Sequence, residues 1–180
     1  MNKDNNYIIR KSNVNDIDQI MNIYEIARNF MIKNNNPTQW GLNYPSKDLI
    51  LEDINKSISY VICKDNKICG TFAFVIGEDP TYNQINGSWL DNSLYGTIHR
   101  IASDGISHKI FETALNYCLT KINHIRIDTH LDNKIMQKKI LENKFKKCGI
   151  ISINRINDNI ENIDKFHKLN DRIAYERIDK

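Results

Sequence analysis

The sequence predicts a single α/β domain, in the α+β sense, built on a mixed and mostly antiparallel sheet of about seven strands flanked by about four helices. Three observations predict it. Short β-rich runs alternate with stretches whose apolar residues recur at three- and four-residue steps. An early pair of strands is joined by turn residues, as in a hairpin. Two later helices each follow one strand and precede another, and such a strand–helix–strand unit implies some parallel pairing.

Tyr7 to Arg10 reads as the first strand. Ser12 to Asp16 then offers capping side chains before a helix whose single apolar stripe is Ile17, Ile20, Met21, Tyr24, Ala27 and Met31. That helix should stop near Asn34–Pro37, where asparagines and a proline follow. NPTQWGLNYP is a loop carrying two aromatics expected to be exposed, Trp40 and Tyr44. Ser46 caps a second helix through about Asn55. Ser59 to Lys64 and Ile68 to Ile76 form the hairpin around Asp65-Asn66-Lys67. Gly77 to Ser93 is a polar connection containing Tyr82 and Trp89.

Tyr95 to Ala102 is the next strand, followed by the polar turn Ser-Asp-Gly-Ile-Ser-His-Lys and a helix with Ile110, Phe111, Ala114, Leu115 and Cys118 on one stripe. Ile125 to Thr129 is a strand, Asn133 to Asn143 a helix, Lys146 to Ile153 a strand and Arg172 to Ile178 the last strand. Arg155 to Asn170 is a polar insertion without periodicity. No repeat, linker or second domain interrupts residues 1–180.

The bulk composition narrows the function. A net charge of +3, spread evenly, argues against a nucleic-acid binder, which would cluster Lys and Arg on one element. It suits a phosphorylated small ligand equally well. Cys63, Cys69, Cys118 and Cys148 show no metal-ligand spacing, so no metal is expected and buried reduced thiols are. MNKDNNYIIRK has no apolar signal region, and no run approaches the ~20 residues of a bilayer span. A cytoplasmic protein without membrane contact is the expectation.

The strand, glycine turn and helix start around Gly105 suggest anion binding. A helix's first turn leaves backbone N–H groups unpaired and carries partial positive charge, so a turn that aims them outward holds an anion without a catalytic side chain. Simple helix capping is the alternative.

The order of elements, together with GTIHRIASDGISHK and its helix, IRIDTHLDN, the helix leading into KKCGII, and RIAYERI, resembles the GCN5-related N-acetyltransferase (GNAT) family. The resemblance covers roughly residues 7 to 178, apart from the polar insertion. It implies a sheet with a splayed parallel strand pair and acetyl-CoA as cosubstrate. The acceptor would be a primary amine on a small molecule or peptide, attacking the thioester directly. In the family the turn receives the pyrophosphate, which here implies Gly105, Ile106, Ser107, His108, Lys109 and Ile110 as donors. The family glycine that opens the helix is replaced by Lys109.

The splayed strand would hold the pantetheine arm and the thioester carbonyl through main-chain groups of Ile101, Ala102 and Ser103. Asn133 matches the family asparagine that bonds the arm, with a helix cap as the alternative role. A tyrosine seven residues later, the usual proton donor, is Ile140 here. His99 and Asp128 are the catalytic candidates, with His99 able to act as a base near neutral pH. Their alternatives are a histidine hydrogen-bonded inside a packed strand and a carboxylate paired with Arg100 or Arg126. Trp40 and Tyr44 lie where the family builds its acceptor site. Exposed strand edges and the final hairpin would support a homodimer. A non-catalytic acyl-CoA-binding member is the rival, motivated by Lys109 and Ile140.

Overall fold

The computed structural model describes residues 7–153 and 169–179; most of the expected 155–170 insertion lies outside the described residues. Its strands are β1 (Ile8–Lys11), β2 (Ser59–Lys64), β3 (Lys67–Ile76), β4 (Asn86–Gly87), β5 (Gly96–Ser103), β6 (His124–His130), β7 (Lys146–Ser152) and β8 (Asp171–Ile178). The helices are α1 (Ile17–Lys33), α2 (Lys47–Asn55), α3 (Ile110–Leu119) and α4 (Lys134–Glu142). All seven expected strands and four expected helices are present. The eighth strand, β4, lies inside what the sequence presented as a polar connection, and it pairs only as Asn86 with Ile150 and Gly87 with Gly149. Two residues carry no alternation for a periodicity argument to detect.

Local chemistry explains the element ends. Ser46 Oγ accepts the Leu49 N–H at 3.2 Å and starts α2. Asn13 caps a single 3₁₀ turn, Val14–Asp16, that leads into α1. Asp65 and Asn66 both take positive φ, 50° and 60°, in the two-residue turn that joins β2 to β3.

The sheet order is β1-β2-β3-β5-β6-β8-β7-β4. Every neighbouring pair is antiparallel except β5 and β6. That parallel pair is matched only at Gly96–Ile125 and Thr97–Arg126. Beyond Thr97 the two strands separate. On its other edge β5 slips against β3 between Thr71 and Ala73, and the bulged residue Arg100 has φ 52°. A non-glycine residue in the left-handed region inside a strand is strained and turns the chain, and it persists only when its surroundings hold it. Here Asp53 Oδ2 accepts from Arg100 Nη2 at 2.5 Å, and the Tyr24 hydroxyl donates to the Arg100 carbonyl at 3.0 Å.

One core lies under α3 and α4, with Phe72, Ile98, Leu115, Ile125 and Ile140 buried in it. The other lies under α1 and α2 and contains Ile20, Tyr24, Trp40, Ile50 and Val61. A third, polar interior group ties the connection after β3 to the far half of the sheet. Glu176 is fully buried; its carboxylate accepts from Arg126 Nε at 2.8 Å, sits 2.5 Å from His124 Nε2 and takes the Leu90 N–H. The Arg126 guanidinium lies between the rings of Trp89 and Tyr95, 4.0 and 3.9 Å from their centroids.

Removing one partner of a buried ion pair strands the other charge. Asp53→Ala is therefore expected to lower unfolding stability by about 3–5 kcal/mol in urea titrations. A loss below 1 kcal/mol would mean that Arg100 reaches solvent instead.

Candidate active site

Where β5 and β6 part, a cleft of about 810 Å³ opens, lined by both strands, by the starts of α3 and α4, and by the loop between α1 and α2. The anion turn forms one wall. Gly105 (φ 80°) and Lys109 (φ 59°) both adopt left-handed backbone, so Lys109 holds the conformation a glycine normally would at the entry to α3. Tyr7 donates to the His108 carbonyl at 2.8 Å and Thr113 N–H to that of Lys109 at 2.9 Å, which fixes the turn from two sides.

Fewer turn residues reach the cleft than the six expected from the sequence. Asp104 folds its own carboxylate over the turn: Oδ1 accepts the N–H groups of Ile106 and Ser107 at 3.1 and 2.8 Å, and Oδ2 accepts the Ser107 hydroxyl at 2.8 Å. Gly105 and Ile106 do not reach the cleft, whereas Ser107, His108, Lys109 and Ile110 line it. Among the described residues, the N–H groups of His108, Lys109 and Ile110 have no hydrogen-bond partner. These three amides and the positive end of α3 fit an anion.

Ile101, Ala102 and Ser103 line the cleft on the edge of β5 that β6 has left. Asn133 lines it too, with both ends of its amide engaged: Oδ1 accepts the Met136 N–H at 3.1 Å as the cap of α4, and Nδ2 donates to Gln39 at 2.8 Å. The capping alternative therefore holds. These bonds use one of the two hydrogens of Nδ2 and one of the two lone pairs of Oδ1, so a ligand can bond Asn133 without displacing Gln39.

At the far wall His99 Nε2 lies 2.6 Å from Asp79 Oδ2. Asp79 also accepts the Thr81 N–H at 2.9 Å. Burial works to raise the Asp79 carboxyl, but the His99 hydrogen bond and charge and the Thr81 bonds outweigh it and hold the group at about 2. An ionised Asp79 can only accept, so Nε2 carries the hydrogen, and Nδ1 of His99 has no partner among the described residues. Asp128 pairs with neither Arg100 nor Arg126, contrary to the alternative weighed from sequence, because Asp53 and Glu176 hold those two arginines. Its partner is Tyr82, whose hydroxyl donates to Asp128 Oδ1 at 2.7 Å. Burial, then the Asp128 charge, push the Tyr82 phenol well above its usual range, so it serves as a neutral donor. The Tyr82 ring lies 6.0 Å from that of His99, joining the two pairs into one group.

Trp40 is buried, not exposed as its loop composition suggested. Its indole packs edge-on against Tyr24 at 5.6 Å under its own loop. It still contributes to the cleft wall, beside the half-buried Tyr44, whose hydroxyl is 3.5 Å from Arg100 Nη1. Ile140 is fully buried in the core. Sequence reasoning missed Asp79 and Tyr82. The only local signal was Asp79 before Pro80, which starts a 3₁₀ turn, and nothing in that signal points at His99. Among the described residues no three or more His, Cys, Asp or Glu side chains are grouped to hold a metal ion, and no helix is long and apolar enough to cross a membrane.

No protein-family model and no curated protein matches the sequence. Solved structures do. A GNAT-family acetyltransferase of Streptococcus agalactiae is 27% identical, with a TM-score of 0.78 over 97% of this chain and 96% of that one. A GNAT-family acetyltransferase of Listeria monocytogenes (13% identical, TM-score 0.63, 96% and 94% covered) and an N-acetyltransferase of Staphylococcus aureus (16%, 0.57, 96% and 98%) share the fold. A mixed sheet parted at its one parallel pair, beside an anion-ready helix start, defines the acetyltransferase class of fold. The chain has the fold of GCN5-related N-acetyltransferases and is similar to solved members of that family.

Because its carboxyl is held low in the folded state, Asp79 contributes stability that is present above its ordinary value of 3.8 and lost as pH falls toward about 2. Unfolding measured across that window should show the wild type losing about 2 kcal/mol more than Asp79→Asn. Equal slopes would mean that the pair with His99 does not persist in solution.

Proposed function

We propose that residues 1–180 form one acetyltransferase domain that moves the acetyl group of acetyl-CoA to a primary amine by direct attack. The observation that carries the reading is the opening between β5 and β6, with unpaired α3 amides on one wall and the His99–Asp79 pair on another. The amides of His108, Lys109 and Ile110, with the Lys109 ammonium nearby, would hold the pyrophosphate. Main-chain N–H groups of Ile101 to Ser103 would bind the pantetheine arm and face the thioester oxygen, where negative charge develops. Acetyl-CoA supplies the activated acetyl group.

His99 takes the proton from the incoming ammonium at Nδ1, directly or through a water, while Asp79 fixes the ring and stabilises the imidazolium that forms. Ile140 supplies no proton to the departing thiolate, and Tyr82 has its hydroxyl engaged by Asp128, so water fills that role. Tyr44 and the edge of Trp40 form the wall that an acceptor meets.

A second reading, an acyl-CoA binder without turnover, draws support from Asp104, which already holds two of the turn's amides, and from Ile140. Thiol release separates the two. CoA at a hundredfold excess over its Kd is expected to raise the melting temperature by about 5 °C or more. His99→Ala should lower kcat about a hundredfold while leaving that shift intact. No melting shift at millimolar CoA would overturn both readings; a shift without thiol release across a panel of amines would leave only the second.

A further inference from the structure

The charges lining the cleft are sorted by the elements that carry them. Lys33, Lys109, Lys134 and Lys139 come from the helices or the cap of α3. The carboxylates Asp53, Asp79 and Asp128 come from α2, the connection after β3, and β6. Two of these carboxylates have cationic or N–H partners: Asp53 faces Arg100, and Asp79 faces His99 and the Thr81 amide. Asp128 differs. Its Oδ1 takes one neutral hydroxyl hydrogen from Tyr82, and its Oδ2 has no partner among the described residues. The residue is half-buried on the separated part of β6, past the last rung shared with β5.

Both arginines that line the cleft are engaged. Arg100 is bound to Asp53. Arg172 directs Nη1 to the carbonyls of Leu169 and Asp171 and Nη2 to that of Gln39. An acceptor carboxylate set against Asp128 would meet like charge, with both cleft arginines already engaged. An acceptor bearing positive charge would meet a carboxylate with an open oxygen.

We infer that Asp128 is a specificity-determining residue that binds a second positive charge on the acceptor, so that the acceptor class is a di- or oligoamine without a carboxylate. The inference rests on the acetyltransferase reading above. A second charge is required by the chemistry of the first. The attacking amine must be neutral, and a carboxylate placed against it would favour its ammonium form and oppose attack. A remote ammonium that stays charged throughout pairs with Asp128 without that penalty, while His99 takes the proton from the reacting nitrogen. The atoms balance: the amine nitrogen bonds the acetyl carbon, the carbon–sulfur bond breaks, one proton passes to His99, and the thiolate leaves to be protonated by water.

The test is calorimetric titration of the protein saturated with CoA, using putrescine, butylamine and γ-aminobutyrate as probes of matched length. Putrescine should bind about tenfold more tightly than butylamine, and γ-aminobutyrate more weakly than either. In Asp128→Asn, which keeps the shape and an acceptor for Tyr82, putrescine should fall to the level of butylamine; a retained CoA melting shift shows that this variant is folded. If the variant does not fold, the ranking of the three probes on the wild type decides alone. The inference is overturned if γ-aminobutyrate binds as tightly as putrescine, if the putrescine advantage survives in Asp128→Asn, or if none of the three binds. Failure of the acetyltransferase reading registers separately, as the absence of a CoA melting shift or of thiol release with any amine.

Discussion

The site depends on one backbone constraint, the left-handed turn at Arg100. A strand that kept its extended course would go on pairing with β6 beyond Thr97, and parallel hydrogen bonds would seal the sheet. The bulge at Arg100 turns β5 aside after two shared rungs. Strain of this kind costs on the order of 1–3 kcal/mol, so the surroundings have to hold it. Asp53 anchors the guanidinium and Tyr24 the carbonyl, and both come from helices packed on the same face. The main-chain groups left open along β5 are the consequence, and in the proposed function they would make a binding edge whose chemistry does not depend on side-chain identity.

A second constraint sets the opposite wall. The connection from Gly77 to Tyr95 would be free to wander on its composition alone. It is fastened by the buried Glu176 carboxylate through Leu90 and by the Arg126 guanidinium stacked between Trp89 and Tyr95. Burying these charges is costly unless each is paired, and here each is. The return is positional: Asp79 and Tyr82 are delivered onto His99 and Asp128.

The anion turn illustrates competition for the same donors. Asp104 stabilises the turn by taking two of its amides, leaving three at the entry to α3 for the proposed phosphate. Lys109 compensates in part, since it keeps the glycine-like backbone and adds a positive charge at the cleft. The cleft is consequently cationic on its helical walls and carries an open carboxylate on its sheet wall, and under the proposed function this asymmetry would orient a phosphorylated cosubstrate and a cationic acceptor in opposite senses.

What the sequence determined by itself was local. The stripe of Ile17 to Met31, the Asp65-Asn66 turn, the Ser46 cap and the alternation in β3 encode their elements through periodicity and capping chemistry that act over a few residues, and the order of those elements brought out the resemblance to the acetyltransferases. His99 and Asp128 were readable as candidates because each is a chemically distinctive residue in a strand, and the Gly105–Ile110 turn because a glycine turn precedes a helix start. Tertiary structure alone decided the partners. Asp79 lies 20 residues from His99, and Tyr82 lies 46 from Asp128. Trp40 looked exposed in its loop and is buried because Tyr24 on α1 covers it. Pairings across the chain carry no local signature, because they arise from the sheet order that brings remote segments to one opening.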